Sequence, residues 1–320
     1  MRFLIVGAGG IGCYYGARLQ VAGHSVCYLA RGEHLEAMQC NGLTVSHEDL
    51  SFHEGVEAID IEYLLQHENC SQFDLIVLTI KSGATATILD QLSDWLTGGE
   101  VPILSLQNGV DNELLIAESV GANRTLGGLA VRIGGHITKP GEVEVKGPAQ
   151  VIFGRWPNHG NETPVDASAL ERFAEIFNKA GIPTQLSTDI QYELWRKLLI
   201  NNGVNPLSAL TGLDTKRLTS DPVFSKTVYR MMEEVAAVAK ADQVQLGQND
   251  IDEMFELISN FDAIKTSMLV DKEKGRPLEL DGISGAVIRR AKQLGIEVPV
   301  TELIHALLES EAEQSVAVDV

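Results

Sequence analysis

The chain has 320 residues, 44% of them hydrophobic and 22% charged, with a formal net charge of −19. That length can bury more than one core, so two domains are expected, and the acid excess argues against nucleic acid and anionic membrane surfaces as partners. No uninterrupted apolar run approaches membrane-spanning length, and Cys13, Cys27, Cys40 and Cys70 show no C-x-x-C pairing. The histidines also lack metal-ligand spacing. Reduced thiols, no metal site and a cytoplasmic location are expected, in keeping with a strand where a signal peptide would stand.

The first stretch, RFLIVGAGGIGCYYGARLQVAGHSVCYLAR, reads as a short apolar strand, a glycine-rich turn, a helix and a second strand. Gly7, Gly9 and Gly12 fit the spacing G-x-G-x-x-G, with Ala8, Gly10 and Ile11 completing the turn. The first glycine makes the tight turn, the second lets backbone approach a pyrophosphate, and the third allows close helix–strand packing. The helix N-terminus attracts the phosphates. A dinucleotide is the expected ligand. An acid about twenty residues past the glycines would bond a ribose 2′-hydroxyl, whereas an arginine accommodates a 2′-phosphate. The second strand ends in Tyr28, Leu29, Ala30 and Arg31, without an acid, which favours NADP(H). Glu33 is expected in the first turn of the next helix.

Phe73–Ile80 and Val101–Leu106 are near-continuous apolar runs, expected as strands buried on both faces of a parallel sheet. They are followed by Lys81 and Asn108, and ligands of open parallel sheets bind outside the carboxyl ends of the strands. Lys81 is therefore expected over the cofactor, and Asn108-Gly109 near nicotinamide or substrate, although an Asn-Gly pair alone is as well explained as a plain turn. With so acidic a background the anionic cofactor needs local cations, and Arg31, Lys81 and Lys197 are the candidates. From Gly127 to Arg155 the pattern turns antiparallel, with TKPG at residues 138–141 as a turn and Ala149–Gly154 as a strand. A helix is expected from about Val165 to Lys179, capped at Gly181.

Beyond Ser187 the strand signals stop. ELWRKLLINNGVNPL spaces Lys197, Asn201 and Asn205 four and four apart, along one face of a helix otherwise rich in leucine. An unpaired buried donor costs roughly 1–3 kcal/mol, so these groups need partners, and a keto acid offers a carboxylate and a carbonyl oxygen. Taken alone, a solvated lysine with a cap and a turn explains them about as well. Val228, Met231, Met232, Val235 and Val238 form a core stripe. Ser267 offers a hydroxyl to a carboxylate, and Glu279, set between Leu278 and Leu280, could hold a lysine charged and oriented. On their own these two read as a helix residue and a surface acid. The closing ESEAEQSVAVDV is expected to fray. The fold expected is α/β: a Rossmann-type dinucleotide-binding domain over 1–185, followed by an all-α substrate domain over 186–320.

GAGGIG, Arg31, TIKS around Lys81, QNG around Asn108, ELWRKLLINNGVNPL, TSML and LELDG stand in the order seen in the ketopantoate (2-dehydropantoate 2-) reductases. The chain resembles that family over essentially its whole length. The resemblance implies NADPH-dependent reduction of ketopantoate to D-pantoate, on the route to pantothenate and coenzyme A. Lys197 would be the general acid and Glu279 the carboxylate beside it. Asn108, Asn201, Asn205 and Ser267 would line nicotinamide and substrate, and Arg31 and Lys81 would contact the cofactor. Hydride would pass to C2 while Lys197 meets the charge growing on oxygen, with closure of the helical domain excluding water. A small 2-keto acid is the expected partner, and a homodimer the candidate assembly. One position departs from the pattern: Ile264 stands where the family carries a substrate-touching asparagine. It supports a reductase of another 2-keto acid as the alternative. A non-catalytic NADP-binding sensor would need neither Lys197 nor Glu279.

Overall fold

The computed structural model of the chain describes residues 1–157 and 165–318. Contacts divide it into two compact units, one comprising Met1–Gln107 and Asn112–Ile190, the other Asn108–Asp111 and Gln191–Val320. The division follows Ile190, whereas the boundary expected after residue 185 falls within a strand, Thr184–Leu186.

The first unit carries all twelve strands found among the described residues: β1 Arg2–Val6, β2 Ser25–Leu29, β3 Leu43–His47, β4 Leu50–Glu54, β5 Glu57–Ile59, β6 Leu75–Leu78, β7 Ile103–Ser105, β8 Thr125–Val131, β9 Gly134–Lys139, β10 Glu142–Lys146, β11 Gln150–Arg155 and β12 Thr184–Leu186. Eight of them form one sheet in the order β12-β11-β8-β7-β6-β1-β2-β5. From β5 to β8 the pairing is parallel throughout, with β1 between β2 and β6. The chain thus builds outward from β1 in both directions, and the carboxyl end of β1 is the switch point at which such sheets bind ligands. Antiparallel pairing enters only where β11 meets β8.

β6 and β7 are shorter than their apolar runs. Phe73, Val101 and Leu106 lie outside the assigned strands yet remain buried, and Leu106 N still donates to Leu78 O at 3.0 Å. A second sheet, β4-β3-β10-β9, adds two strands not expected from the sequence, β3 and β4, although Leu43, Val45, Leu50 and Phe52 do alternate with polar residues. Its β9–β10 hairpin turns at the expected place, and β3, β9 and β10 pack on the helix Gly10–Val21.

The second unit contains no strand among its described residues. Its long helix Ile190–Thr211 is followed by helices Thr215–Ser220, Phe224–Ala241, Gln248–Ser259, Ser267–Glu273, Ala286–Leu294 and Pro299–Val318. Val228, Met231, Met232, Val235 and Val238 are fully buried, as their spacing requires. The closing segment does not fray at its start: the last helix continues through it to Val318, carried by the helix-forming Glu, Ala and Gln residues. Residues 319 and 320 lie outside the described residues. No helix among the described residues is long and apolar enough to cross a membrane.

Candidate active site

In the first unit the turn after β1 is shaped by steric need. Gly7 sits at φ +107°, and a Cβ there would come within 2.6 Å of the Ile80 side chain. A Cβ on Gly12 would fall 2.3 Å from the Gly7 carbonyl oxygen and 2.5 Å from Thr79 Oγ1. That hydroxyl donates to the same carbonyl at 2.7 Å, tying the turn to the end of β6. Gly9 is different: a Cβ there would meet nothing within 4 Å. Its missing side chain leaves space beside the turn rather than relieving an internal clash.

The helix Gly10–Val21 has no acid in its first turn, and Gly9 makes no side-chain cap. With no acid in its own first turn, the helix leaves its N-terminal amides available to an anion. These features fit the pyrophosphate of a dinucleotide. Gly10 has its own reason: a Cβ would lie 2.1 Å from the carbonyl carbon of Gly135 in β9. This backbone-to-backbone contact was missed in the sequence, where only the adjacent Gly134-Gly135 pair hinted at a close approach.

Arg31 is exposed two residues past β2 and precedes the helix Gly32–Asn41, whose first turn holds Glu33. Lys81 is exposed just after β6, at the start of a short 3-10 turn, Ser82–Ala84. Gln107 and Asn112 are buried and both bond to Thr85, at 2.7 and 2.9 Å.

The second unit gathers Asn108, Lys197, Asn201 and Glu279. Lys197 is half-buried on the helix Ile190–Thr211, among the buried Leu194, Trp195, Leu198 and Leu199. Burial pulls its pKa down to about 8, because the ammonium loses hydration, while the charge of Glu279 opposes that shift. One turn on, Asn201 Nδ2 donates to Asn108 Oδ1 at 3.5 Å, and Asn108 Nδ2 donates to Glu279 Oε2 at 3.2 Å. Asn108 itself precedes Gly109, whose φ of +101° only glycine adopts readily. The loop places the carboxamide with the helical unit rather than with the sheet it follows.

Asn205 is a further turn along the same helix, 6% exposed and without a hydrogen bond among the described residues. Asn202, next to Asn201, is fully buried and donates to Thr301 Oγ1 at 3.0 Å, a peg between helices on another face. Ser267 is exposed at the start of its helix, behind the capping Thr266, and makes no hydrogen bond to this cluster. Ile264 is 47% exposed, with its backbone paired to Thr215. Among the described residues no group of three His, Cys, Asp or Glu could hold a metal ion.

An ammonium poised near neutral pH beside a carboxylate, with carboxamides lined up next to it, can protonate an oxyanion and orient a small polar ligand. The family model described as ketopantoate reductase PanE/ApbA matches residues 3–158, and its C-terminal counterpart matches residues 189–312. A solved 2-dehydropantoate 2-reductase from Geobacter metallireducens GS-15 is 31% identical, covering 97% of this chain and 100% of that one, with a TM-score of 0.84. The 2-dehydropantoate 2-reductase of Pyrococcus horikoshii is 28% identical over 311 residues, 97% of each chain. D-mandelate dehydrogenase, solved with NADH and anilino(oxo)acetate, is 22% identical, with a TM-score of 0.87 over 98% of this chain and 99% of that one. At that identity it shares the fold.

Proposed function

The chain belongs to the ketopantoate reductase family, and on that footing we propose that it reduces 2-dehydropantoate to D-pantoate with NADPH, on the route to pantothenate and coenzyme A. It is an oxidoreductase of the 2-dehydropantoate 2-reductase kind. The observation that carries the specific reading is Lys197: a lysine drawn into an apolar helix face, its pKa lowered to about 8, with Glu279 acting on it.

The glycine turn would hold the pyrophosphate, and Arg31 and Lys81 would offer charge to the phosphates, Arg31 gripping the 2′-phosphate that distinguishes NADPH. When bound, NADPH supplies the hydride for C2 of the keto acid. Negative charge then grows on the C2 oxygen. The Lys197 ammonium stabilises that charge and transfers a proton to the oxygen, which leaves a neutral amine and a hydroxyl. Glu279 keeps Lys197 protonated against the pull of burial. Asn201, Asn205 and Ser267 would bond the substrate's carboxylate and carbonyl. Asn205, one turn beyond Asn201 on the same helix face, extends that row of carboxamides.

Ile264 favours one second reading, a reductase of a 2-keto acid lacking ketopantoate's hydroxyl, because an apolar side chain at that place cannot bond one. Steady-state NADPH and NADH oxidation across a panel of 2-keto acids, ketopantoate included, separates the two. The highest kcat/KM is expected for ketopantoate with NADPH. A clear preference for another keto acid would move the substrate, and a preference for NADH would remove Arg31 as selector.

A further inference from the structure

The loop that delivers Asn108 has only four residues in the helical unit, Asn108–Asp111, and no secondary structure of its own. Its last residue is gripped on both carboxylate oxygens. Arg290 Nη2 donates to Asp111 Oδ1 at 2.8 Å, and Arg289 Nη2 donates to Asp111 Oδ2 at 3.0 Å. Neither arginine is free to move with the loop. Arg290 is held on its other side by Asp242, at 2.6 Å from Nη1. Arg289 also bonds the Asp281 carboxylate, and its Nη2 donates to the Asp281 carbonyl at 3.1 Å.

Asp281 stands two residues after Glu279 and opens a π-helical turn, Asp281–Gly285. Asp111 stands three residues after Asn108. The two loops whose tips meet in the Asn108–Glu279 hydrogen bond are therefore joined a second time, through Asp111, Arg289 and Asp281. We infer that Asp111 is a positioning residue for the reaction: through Arg289 and Arg290 it fixes the loop that presents Asn108 to Glu279. The inference rests on Glu279 serving catalysis as proposed above and on Asn108 lining nicotinamide and substrate, as the family resemblance implies.

A lone exposed ion pair would hold little, and Arg289 is 45% exposed. Here one carboxylate is shared by two guanidiniums, the less exposed of which is anchored by a second acid, so the charges act as a network. Asp111 also directly precedes the helix Asn112–Val120, where an acid can cap the first turn. A capping role alone would move stability and leave turnover unchanged.

Asp111→Asn separates the two, since asparagine caps equally well but loses the charge-assisted bonds. Turnover, NADPH affinity by fluorescence titration and the thermal midpoint are measured for Asp111→Asn, Arg289→Met, Asn108→Ala and the double variant Asn108→Ala/Asp111→Asn. The expected result for Asp111→Asn is a fall in kcat of about tenfold, the scale of a small misplacement of reacting groups, with NADPH affinity unchanged. Arg289→Met should give a fall of the same order, and it serves if Asp111→Asn fails to fold. In the Asn108→Ala background the Asp111 substitution should cost less than about twofold, because coupled residues are not additive. An undiminished loss in that background, or wild-type kcat in Asp111→Asn, overturns the inference while leaving the proposed function standing. Wild-type turnover by Asn108→Ala instead sinks the role given to Asn108, and the inference with it.

Discussion

The turn after β1 is made of backbone, whereas the cluster around Lys197 is made of side chains drawn from three separate stretches of chain. In the turn, Gly7 and Gly12 are fixed by contacts with Ile80, Thr79 and each other, and Gly9 by the space it leaves open. In the cluster, Asn108 and Glu279 are 171 positions apart and meet only because the helical unit folds. A backbone-built site answers to steric rules that operate over a few residues. A side-chain-built site answers to packing and desolvation, which operate through the whole unit. The first should tolerate loss of charge and fail on added bulk; the second should do the reverse.

The harshest test of that contrast is Lys197→Ala. Removing a general acid should lower kcat by a factor on the order of 10² or more, while NADPH binding stays nearly intact. Single-turnover rates and fluorescence titration read the two separately. Near wild-type turnover would take Lys197 out of the chemistry. Gly9→Ala probes the other region from its own side. With nothing within 4 Å of the added methyl, the free protein should melt within a few degrees of wild type, while NADPH affinity falls by about tenfold as the methyl occupies the ligand's space. Intact affinity would mean the pyrophosphate does not approach Gly9.

The same contrast explains what could be read in the sequence. G-x-G-x-x-G named its region outright, because spacing alone encodes the need for small residues. It did not explain Gly10, whose partner Gly135 lies in the second sheet, far along the chain. The helical stripe of Val228 to Val238 was legible because burial follows period. Lys197, Asn201 and Asn205 were legible as a face, and the four-residue spacing left out Asn202, whose role as a buried peg on Thr301 it could not show. Nor could local pattern assign Asn108 to the helical unit or expose the grip of Arg289 and Arg290 on Asp111, since those pairings join residues nearly two hundred positions apart. Ser267, expected to line nicotinamide and substrate, is exposed at its helix start.

Charge, rather than bulk, is the lever in the second region. On the proposed mechanism Lys197 must be protonated to donate, so reduction should fall as pH rises through about 8. Glu279 raises the Lys197 pKa against desolvation. Glu279→Gln removes that support, and the falling limb of the pH–rate profile should move to lower pH. The deficit against wild type should therefore grow with pH, approaching about tenfold on the alkaline side if the pKa falls by about one unit. A uniform loss at every pH would instead assign Glu279 to holding Asn108 in place. An unmoved profile would separate Glu279 from Lys197 altogether.

The smallest effect belongs to Ile264, which tests whether side chains around the site also set the substrate. It is 47% exposed and held through its backbone, so its side chain adds little to the core and Ile264→Asn should fold normally. A site that bonds a substrate hydroxyl rejects the analogue lacking it strongly, whereas an apolar wall discriminates only modestly. If Ile264 faces the substrate, the wild-type enzyme should separate ketopantoate from 2-ketoisovalerate weakly. Ile264→Asn should then raise kcat/KM for ketopantoate relative to 2-ketoisovalerate by about fivefold, the equivalent of about 1 kcal/mol for one net hydrogen bond. Both substrates, both proteins and NADPH absorbance suffice for the measurement. A wild-type preference for ketopantoate of several orders of magnitude, with the substitution merely harmful, would place the hydroxyl's partner elsewhere. Ile264 would then have no part in specificity, and the ketopantoate reading would no longer compete with a second substrate.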